Sequence, residues 1–154
     1  MFYDDLVHDI EIIDLESNSS CKQWSDLPLP VKGATGGFLN GGVLVCGGNT
    51  VTSDVDASLT DRCQHITPDG TQLSYMDLSI PTIASSSTVV SNRLLVSGGV
   101  SPYYVDNAEL IDLEHKWPVP NLPYKVADHC SMLIGNVQHR VTYLVARPFT
   151  KLHM

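Results

Sequence analysis

Short apolar runs, separated by glycine, proline and small polar residues, follow one another along the chain. Val and Ile dominate these runs, as they do in packed strands, and no helical periodicity extends beyond about two turns. Asn40 and Gly41 join two of the runs, and an Asn-Gly pair in this setting is the strongest short hairpin signal. Asp69 and Gly70 lie between two later runs in the same way. The pattern predicts an all-β chain of short antiparallel strands.

The apolar runs repeat. A run that ends in Gly47 and Gly48 returns 51 residues later as a run that ends in Gly98 and Gly99. A third copy, at 141–147, keeps the apolar residues and lacks the glycines. Short strands that recur with a period of roughly 50 residues indicate β-sheets arranged radially around an axis.

Two further features recur in phase with the glycine doublets. A strand that ends in Asp-Leu occurs at 12–16 and again at 110–114. Trp24 and Trp117 each precede a connection that contains prolines. The order of apolar run, Gly-Gly, apolar-Asp strand and tryptophan resembles the kelch repeat, and the resemblance extends over 9–147. It implies kelch-type β-propeller blades, each a four-stranded antiparallel sheet whose second strand ends in the glycine doublet.

The resemblance divides the chain into segments. It predicts an outer half-blade at 9–24, whole blades at 33–75 and 84–117, and an inner half-blade at 128–147. Propellers have four to eight blades, so we expect an open or incomplete propeller. The interpretation that we favour is a fragment of a larger propeller, and the alternative is self-association that completes the ring.

The net charge of the chain disfavours some classes of binding partner. The net charge is −8, with only nine Lys and Arg residues in 154. Nucleic-acid binding requires clusters of basic residues that neutralise phosphates, so we expect no nucleic acid. Apolar runs stay far below the roughly 18 residues of a membrane span, and we expect no membrane insertion. The expected partner is another protein.

Catalytic and metal-binding motifs are missing from the sequence. It has no G-x-S-x-G, no H-E-x-x-H and no phosphate-binding glycine motif. We therefore interpret the glycine doublets as structural and the two tryptophans as packing residues. The expectation is a non-catalytic protein without a cofactor or a metal. A galactose-oxidase-like enzyme, which also uses kelch-like blades, is the remote alternative, and its chemistry needs a copper site with Tyr and His ligands.

The cysteines do not determine whether the protein is cytoplasmic or extracellular. Cys46 ends the second strand of the first whole blade and Cys63 begins its third, so the two can meet. A disulfide requires Cβ atoms within about 4.5 Å, and two buried free thiols fit the sequence equally well. Some extracellular proteins that resemble kelch proteins carry cysteines beside the Gly-Gly strand. Both a cytoplasmic and an extracellular location remain compatible with the sequence.

The resemblance also indicates where binding occurs. In kelch proteins the working face is formed by connections between the second and third strands and between successive blades. On that face Tyr103 and Tyr104 are candidate anchors, because aromatic residues with a polar tip dominate interfaces. Asp54 and Asp56 would favour a basic partner. We expect a protein-interaction module that is part of a larger adaptor or scaffold, with an extracellular adhesion or matrix protein as the alternative.

Overall fold

The computed structural model describes residues 10–12, 22–23, 26–51, 57–73, 76–134 and 142–146. Within them the chain forms strands and no helix, and every paired strand is antiparallel to its neighbour. The prediction of an all-β protein made of antiparallel sheets is therefore confirmed. The strands are β1 (Glu11–Ile12), β2 (Lys22–Gln23), β3 (Thr35–Leu39), β4 (Gly42–Cys46), β5 (Asn49–Val51), β6 (Ala57–Leu59), β7 (Cys63–Thr67), β8 (Gly70–Leu73), β9 (Ser86–Val90), β10 (Arg93–Ser97), β11 (Val100–Ser101), β12 (Tyr103–Tyr104), β13 (Ala108–Ile111), β14 (Lys116–Pro118), β15 (Cys130–Ile134) and β16 (Thr142–Ala146).

Two four-stranded sheets have the same internal order. Sheet I consists of β3-β4-β7-β8 and sheet II of β9-β10-β13-β14. Sheet I lies within the predicted segment 33–75, and sheet II lies within 84–117 except that it extends to Pro118. The remaining strands form the two-stranded sheets β1-β2, β5-β6, β11-β12 and β15-β16. None of these sheets closes on itself within the described residues.

Both first hairpins turn through residues with positive φ. Asn40 and Gly41 join β3 to β4 with φ values of 51° and 77°, and Ser91 and Asn92 join β9 to β10 with 50° and 59°. Two consecutive positive φ values are typical of the type I′ turn, whose twist matches that of the flanking strands. The two turns contact each other, because the backbone N–H of Asn40 donates to Oδ1 of Asn92 over 3.0 Å.

The core lies between sheets I and II. Its buried side chains come from β3, β4, β7, β10 and β13 and from the connection between the sheets; they are Leu39, Leu44, Cys46, Cys63, Leu78, Leu94, Val96 and Ile111. The first strands of successive sheets lie side by side, with β9 between β3 and β15. The described part of the chain has no helix with the length and hydrophobicity that crossing a membrane would need.

Candidate functional site

The long connections gather at one end of the sheets. In sheet I the residues 47–62 join the second strand to the third, and in sheet II the residues 98–107 do so. The connections that lead into β9 and β15 run beside them, because Leu78 N–H donates to Asp61 O and Leu122 N–H donates to Asp106 O, both over 2.8 Å. We call this end the loop surface; its described residues are 47–51, 57–62, 76–85, 98–107 and 119–129.

The second glycine of each doublet ties its sheet to the next connection. The N–H of Gly48 donates to Thr82 O and that of Gly99 donates to Val126 O, each over 2.7 Å. Their φ values are 102° and 111°, which side chains other than glycine's rarely adopt. A Cβ atom on Gly99 would also lie 2.9 Å from Ile83 O. Both glycines therefore hold the scaffold of the loop surface together.

Three exposed tyrosines project from neighbouring segments of the loop surface. Tyr103 and Tyr104, on the ribbon β11-β12, are 80% and 60% exposed, and Tyr124 is 61% exposed. The segment that carries Tyr124 runs beside the end of the ribbon, because Val126 N–H donates to Val105 O over 3.1 Å. The sequence interpretation had singled out Tyr103 and Tyr104 and missed Tyr124, although Tyr124 lies in a predicted blade-to-blade connection.

Acidic side chains outnumber basic ones on the loop surface. Its described residues include the aspartates 61, 77, 106 and 128, against Arg62 and Lys125. Arg62 is already paired, because its Nη1 lies 3.1 Å from Oδ2 of Asp77. Asp54, Asp56 and Trp24, which the sequence interpretation also selected, lie outside the described residues. The described surface therefore carries a net negative charge.

Cys46 and Cys63 form a disulfide at the base of the loop surface. They are directly opposed in the pairing of β4 with β7, both side chains are buried, and the S–S distance is 2.03 Å. Of the two alternatives that the sequence left open, the structure contains the bonded one. Sheet II has Ser97 and Ala108 at the equivalent opposed positions, so the cross-link belongs to sheet I alone.

His129 is buried beside Ser97, and its neighbour Cys130 is exposed. The Nε2 of His129 lies 3.2 Å from Oγ of Ser97. Burial lowers the pKa of His129, and the nearby charge of Asp128 opposes that shift. A buried Ser-His pair presents no nucleophile to a substrate. Among the described residues, no group of three or more His, Cys, Asp or Glu side chains is placed to hold a metal ion.

A cleft of about 410 Å³ lies beside the outer strand of sheet II. Glu109 is only 5% exposed in its wall. The carboxylate accepts hydrogen bonds from N–H and Oγ of Ser79 over 2.8–3.0 Å and from Nδ2 of Asn107 over 2.9 Å. Nζ of Lys116 lies 3.2 Å away. The carboxylate therefore fastens the connection at Ser79 to sheet II.

Gln64 has the equivalent role in sheet I. Its side-chain amide accepts from Leu29 N–H over 2.8 Å and donates to Leu29 O over 2.7 Å. Gln64 and Glu109 each occupy the second position of a third strand. The sequence interpretation missed both residues. A polar side chain at the second position of both third strands was the signal that could have revealed them.

The ring of Trp117 contacts two nearby side chains, those of Arg93 and His115. The guanidinium carbon of Arg93 lies 4.0 Å from the centroid of its ring, and the ring of His115 lies at a centroid distance of 5.6 Å. A cation above an aromatic face is attracted by the ring quadrupole. These contacts give Trp117 a packing environment at the outer edge of the sheet.

Comparison with known proteins identifies a similar fold and no family. No protein-family model matches the chain, and no curated protein matches it. A solved structure described as "Structure of YjhT" aligns with a TM-score of 0.74 at 11% identity. The alignment covers 94% of this chain and 60% of that chain. At this identity the likeness concerns the fold alone, and the chain spans less than two thirds of that structure.

Proposed function

We propose that this chain is an arc of kelch-type propeller blades that serves as a non-catalytic protein-interaction module, part of a larger adaptor or scaffold. The equal strand order of sheets I and II supports the propeller interpretation. The glycine doublets that bridge each sheet to the next connection support it as well. In this proposal sheets I and II are blades, and β1-β2 and β15-β16 are half-blades.

The observation that carries the binding proposal is the exposure of aromatic side chains on a fixed scaffold. Tyr103 and Tyr104 are 80% and 60% exposed, yet the ribbon that bears them is paired, and Val105 N–H closes its base by donating to Gly99 O over 3.0 Å. Binding residues concentrate on loops that a rigid scaffold positions, and tyrosine is enriched among interface hot spots. These two side chains are the anchors of the proposed interface.

The charge of the loop surface indicates the chemistry of the partner. Aspartates outnumber basic side chains there, and complementary charge steers association and suppresses wrong partners. Lys and Arg side chains also bind well over the faces of exposed aromatic rings. The proposed partner is therefore a protein that presents a basic segment.

A displayed library of random peptides tests this function on the purified chain. We expect selection to enrich peptides rich in Lys and Arg. Replacing both anchors, Tyr103→Ser with Tyr104→Ser, should weaken binding of the selected peptides at least tenfold, because hot-spot truncations cost about 2 kcal/mol or more. Titration calorimetry with the best peptide measures the change.

The matched control is Phe38→Ser, which removes an aromatic side chain that is 63% exposed on β3, outside the loop surface. It should leave peptide affinity unchanged. Peptides that bind the Tyr103→Ser/Tyr104→Ser chain as tightly as the unmodified chain would contradict the proposal.

An extracellular adhesion or matrix protein is a second candidate that the disulfide favours. Disulfides persist in oxidising compartments and are rare in the cytosol, and Cys46 is bonded to Cys63. Thiol alkylation of protein isolated without reductant, followed by intact mass measurement, separates the two. Resistance of Cys46 and Cys63 to alkylation supports an extracellular protein, and alkylation of both supports the cytosol.

A further inference from the structure

The ribbon β11-β12 is uncovered on both faces at its outer strand. Adjacent residues of a strand point to opposite faces, so Tyr103 and Tyr104 project from the two faces of the ribbon. Both side chains are exposed, Tyr103 by 80% and Tyr104 by 60%. A partner that packed on one face would reach only one of them. A partner that contacts both must lie along the edge where the two faces meet.

The outer edge of the ribbon has open hydrogen-bonding groups. β12 pairs with β11 and with no second strand in the described part of the chain. On the other side of β11, Val100 N–H donates to Ile83 O over 2.9 Å and Ile83 N–H donates to Val100 O over 3.2 Å. Both polar backbone groups of Val100 therefore face away from Tyr104, which lies opposite Val100 in the ribbon. In such an antiparallel pair the N–H and C=O of both residues point outward, so Tyr104 presents one donor and one acceptor at the edge.

The two neighbouring positions on this edge are closed to pairing. Every second residue of a strand faces the same side, so Pro102 and Asp106 flank Tyr104 along the edge. Pro102 has no N–H to donate. The C=O of Asp106 already accepts from Leu122 N–H over 2.8 Å. Of these three positions, only Tyr104 can exchange a complete pair of backbone hydrogen bonds with an added strand.

The charge of the edge favours a basic occupant. The segment 98–107, which contains the ribbon, has Asp106 and no Lys or Arg. Complementary charge steers association, and the faces of exposed aromatic rings attract cations. An acidic or uncharged segment would gain neither contribution.

The corresponding ribbon of sheet I has the same edge without the aromatic side chains. Lys32 and Asn49 exchange the same two hydrogen bonds, over 3.1 and 2.9 Å, and Asn49 lies opposite Leu59 in the pairing of β5 with β6. Leu59 is thus the counterpart of Tyr104, and the residue before it is a serine. Of these two ribbons, only β11-β12 combines the edge with rings that bind cations.

We propose that the partner's basic segment binds in extended conformation, as an antiparallel strand added to β12 at Tyr104. The inference rests on the proposed function, because it takes Tyr103 and Tyr104 as the anchors. Added strands obtain affinity from backbone hydrogen bonds and specificity from alternating side chains. The residue opposite Tyr104 exchanges both backbone bonds with it and lays its side chain over that ring. Its neighbour in sequence points to the other face and contacts Tyr103. Two consecutive Lys or Arg residues are therefore the feature that this edge recognises.

Two substitutions of Tyr104 separate the backbone contribution from that of the side chain. Tyr104→Pro removes the outward N–H, which the ribbon does not use, and edge strands tolerate proline at such positions. Tyr104→Ser is the matched control, because it removes the ring and keeps the N–H. The probe is a short peptide of valine and threonine with one central Lys-Arg pair. In titration calorimetry, Tyr104→Pro should bind it about tenfold more weakly than Tyr104→Ser, since the peptide loses a hydrogen bond. Urea unfolding verifies that both variants are folded.

Methylation of single backbone nitrogens in the peptide tests the register on the unmodified chain. Methylating the basic residue that faces Tyr104 should weaken binding about tenfold. Methylating the other basic residue, whose N–H points away from β12, should leave affinity nearly unchanged. A peptide of the same composition in which one threonine separates Lys from Arg places both on one face of the added strand. It should bind more weakly than the parent peptide, because it loses its contact with one tyrosine.

Failure of this inference and failure of the proposed function have different signatures. Equal affinities of Tyr104→Pro and Tyr104→Ser, or methylated peptides that all bind alike, would overturn the added strand. Peptide binding that still depended on Tyr103 and Tyr104 would in that case leave the interaction module in place, with its partner bound in another conformation. If no basic peptide binds the unmodified chain, the inference and the proposed function are both wrong.

Discussion

The imidazole of His129 is buried with only one hydrogen-bond partner among the described residues. Its Nε2 contacts Ser97 Oγ, and its Nδ1 has no partner there. Burial disfavours the charged imidazolium, so the pKa of His129 is lower in the folded chain than in the unfolded chain, despite the charge of Asp128. The folded state therefore prefers the neutral ring.

Stability should consequently depend on pH through this residue. Above the unfolded pKa of roughly 6.5, His129 is neutral in both states and its contribution is complete. As the pH falls below that value, the unfolded chain takes up the proton more readily and the free energy of unfolding decreases. Urea unfolding at several pH values between about 7.5 and 5.5 measures the slope.

The variant for this test is His129→Gln, which keeps a polar side chain and removes the titration. It should show a smaller loss of stability across that pH range than the unmodified chain. The comparison concerns slopes, because the variant also changes the packing at neutral pH. Parallel slopes for the two chains would mean that His129 does not contribute.

At the scale of elements, the connections are held by side chains of the third strands. Glu109 accepts hydrogen bonds from Ser79 and Asn107 and pairs with Lys116. Breaking a hydrogen-bonded network leaves several polar groups without partners at once, and each unsatisfied buried group costs about 1–3 kcal/mol. The network therefore fixes the path of the chain between sheets I and II.

Two substitutions of Glu109 should differ in their cost. Glu109→Gln keeps an oxygen acceptor and should lower the free energy of unfolding by about 1–2 kcal/mol, whereas Glu109→Leu keeps none and should lower it by about 2–4 kcal/mol. Glu114→Gln, at an exposed position, is the matched control and should change stability by less than about 0.5 kcal/mol. Equal costs for Gln and Leu at position 109 would contradict the network.

The sequence predicted strands and turns better than it predicted these connections. The two apolar runs that end in glycine doublets are β4 and β10, and Asn40 with Gly41 forms the turn that their dipeptide indicates. Such signals are local, because they depend on adjacent residues. The hydrogen bond between Glu109 and Ser79 spans 30 residues of sequence. The two-stranded sheets β5-β6 and β11-β12 likewise depend on the connections beside them. No local pattern specifies either of them.

At the scale of the whole molecule, the disulfide makes sheet I different from sheet II. Cys46 and Cys63 are separated by 17 residues, and closing a loop of this size stabilises a folded chain by roughly 3 kcal/mol through the unfolded state. Replacing both cysteines with serine should lower the free energy of unfolding by about 2–4 kcal/mol in urea unfolding.

The control for this prediction is Cys130→Ser, because Cys130 is exposed and free. It should leave stability nearly unchanged. Dithiothreitol should destabilise the unmodified chain and have no effect on the chain that lacks Cys46 and Cys63. If the double variant were as stable as the unmodified chain, the bond would have no role in stability.

The sequence also specified less about the disulfide and the exposed faces than about the fold class. Composition and strand pattern were enough for an all-β chain of antiparallel sheets. The disulfide stayed undecided, because the distance between Cys46 and Cys63 depends on the register of β4 with β7. The exposure of Phe38 and Met132 could not be predicted from the sequence either. A strand pattern shows how side chains alternate between the two faces of a sheet, and it does not show which face is covered by a neighbour.

The likeness of sheets I and II has a consequence for how the chain folds. Repeat proteins characteristically fail by exchanging equivalent elements between repeats, and in this chain such an exchange would pair β4 with β13 instead of β7. The sheets differ where the choice matters, because only sheet I has a cysteine in both its second and its third strand. Once β4 has found β7, oxidation converts a reversible choice into a permanent one. The bond is therefore compatible only with the pairing of β4 with β7, a distinction between the sheets that two identical repeats would lack.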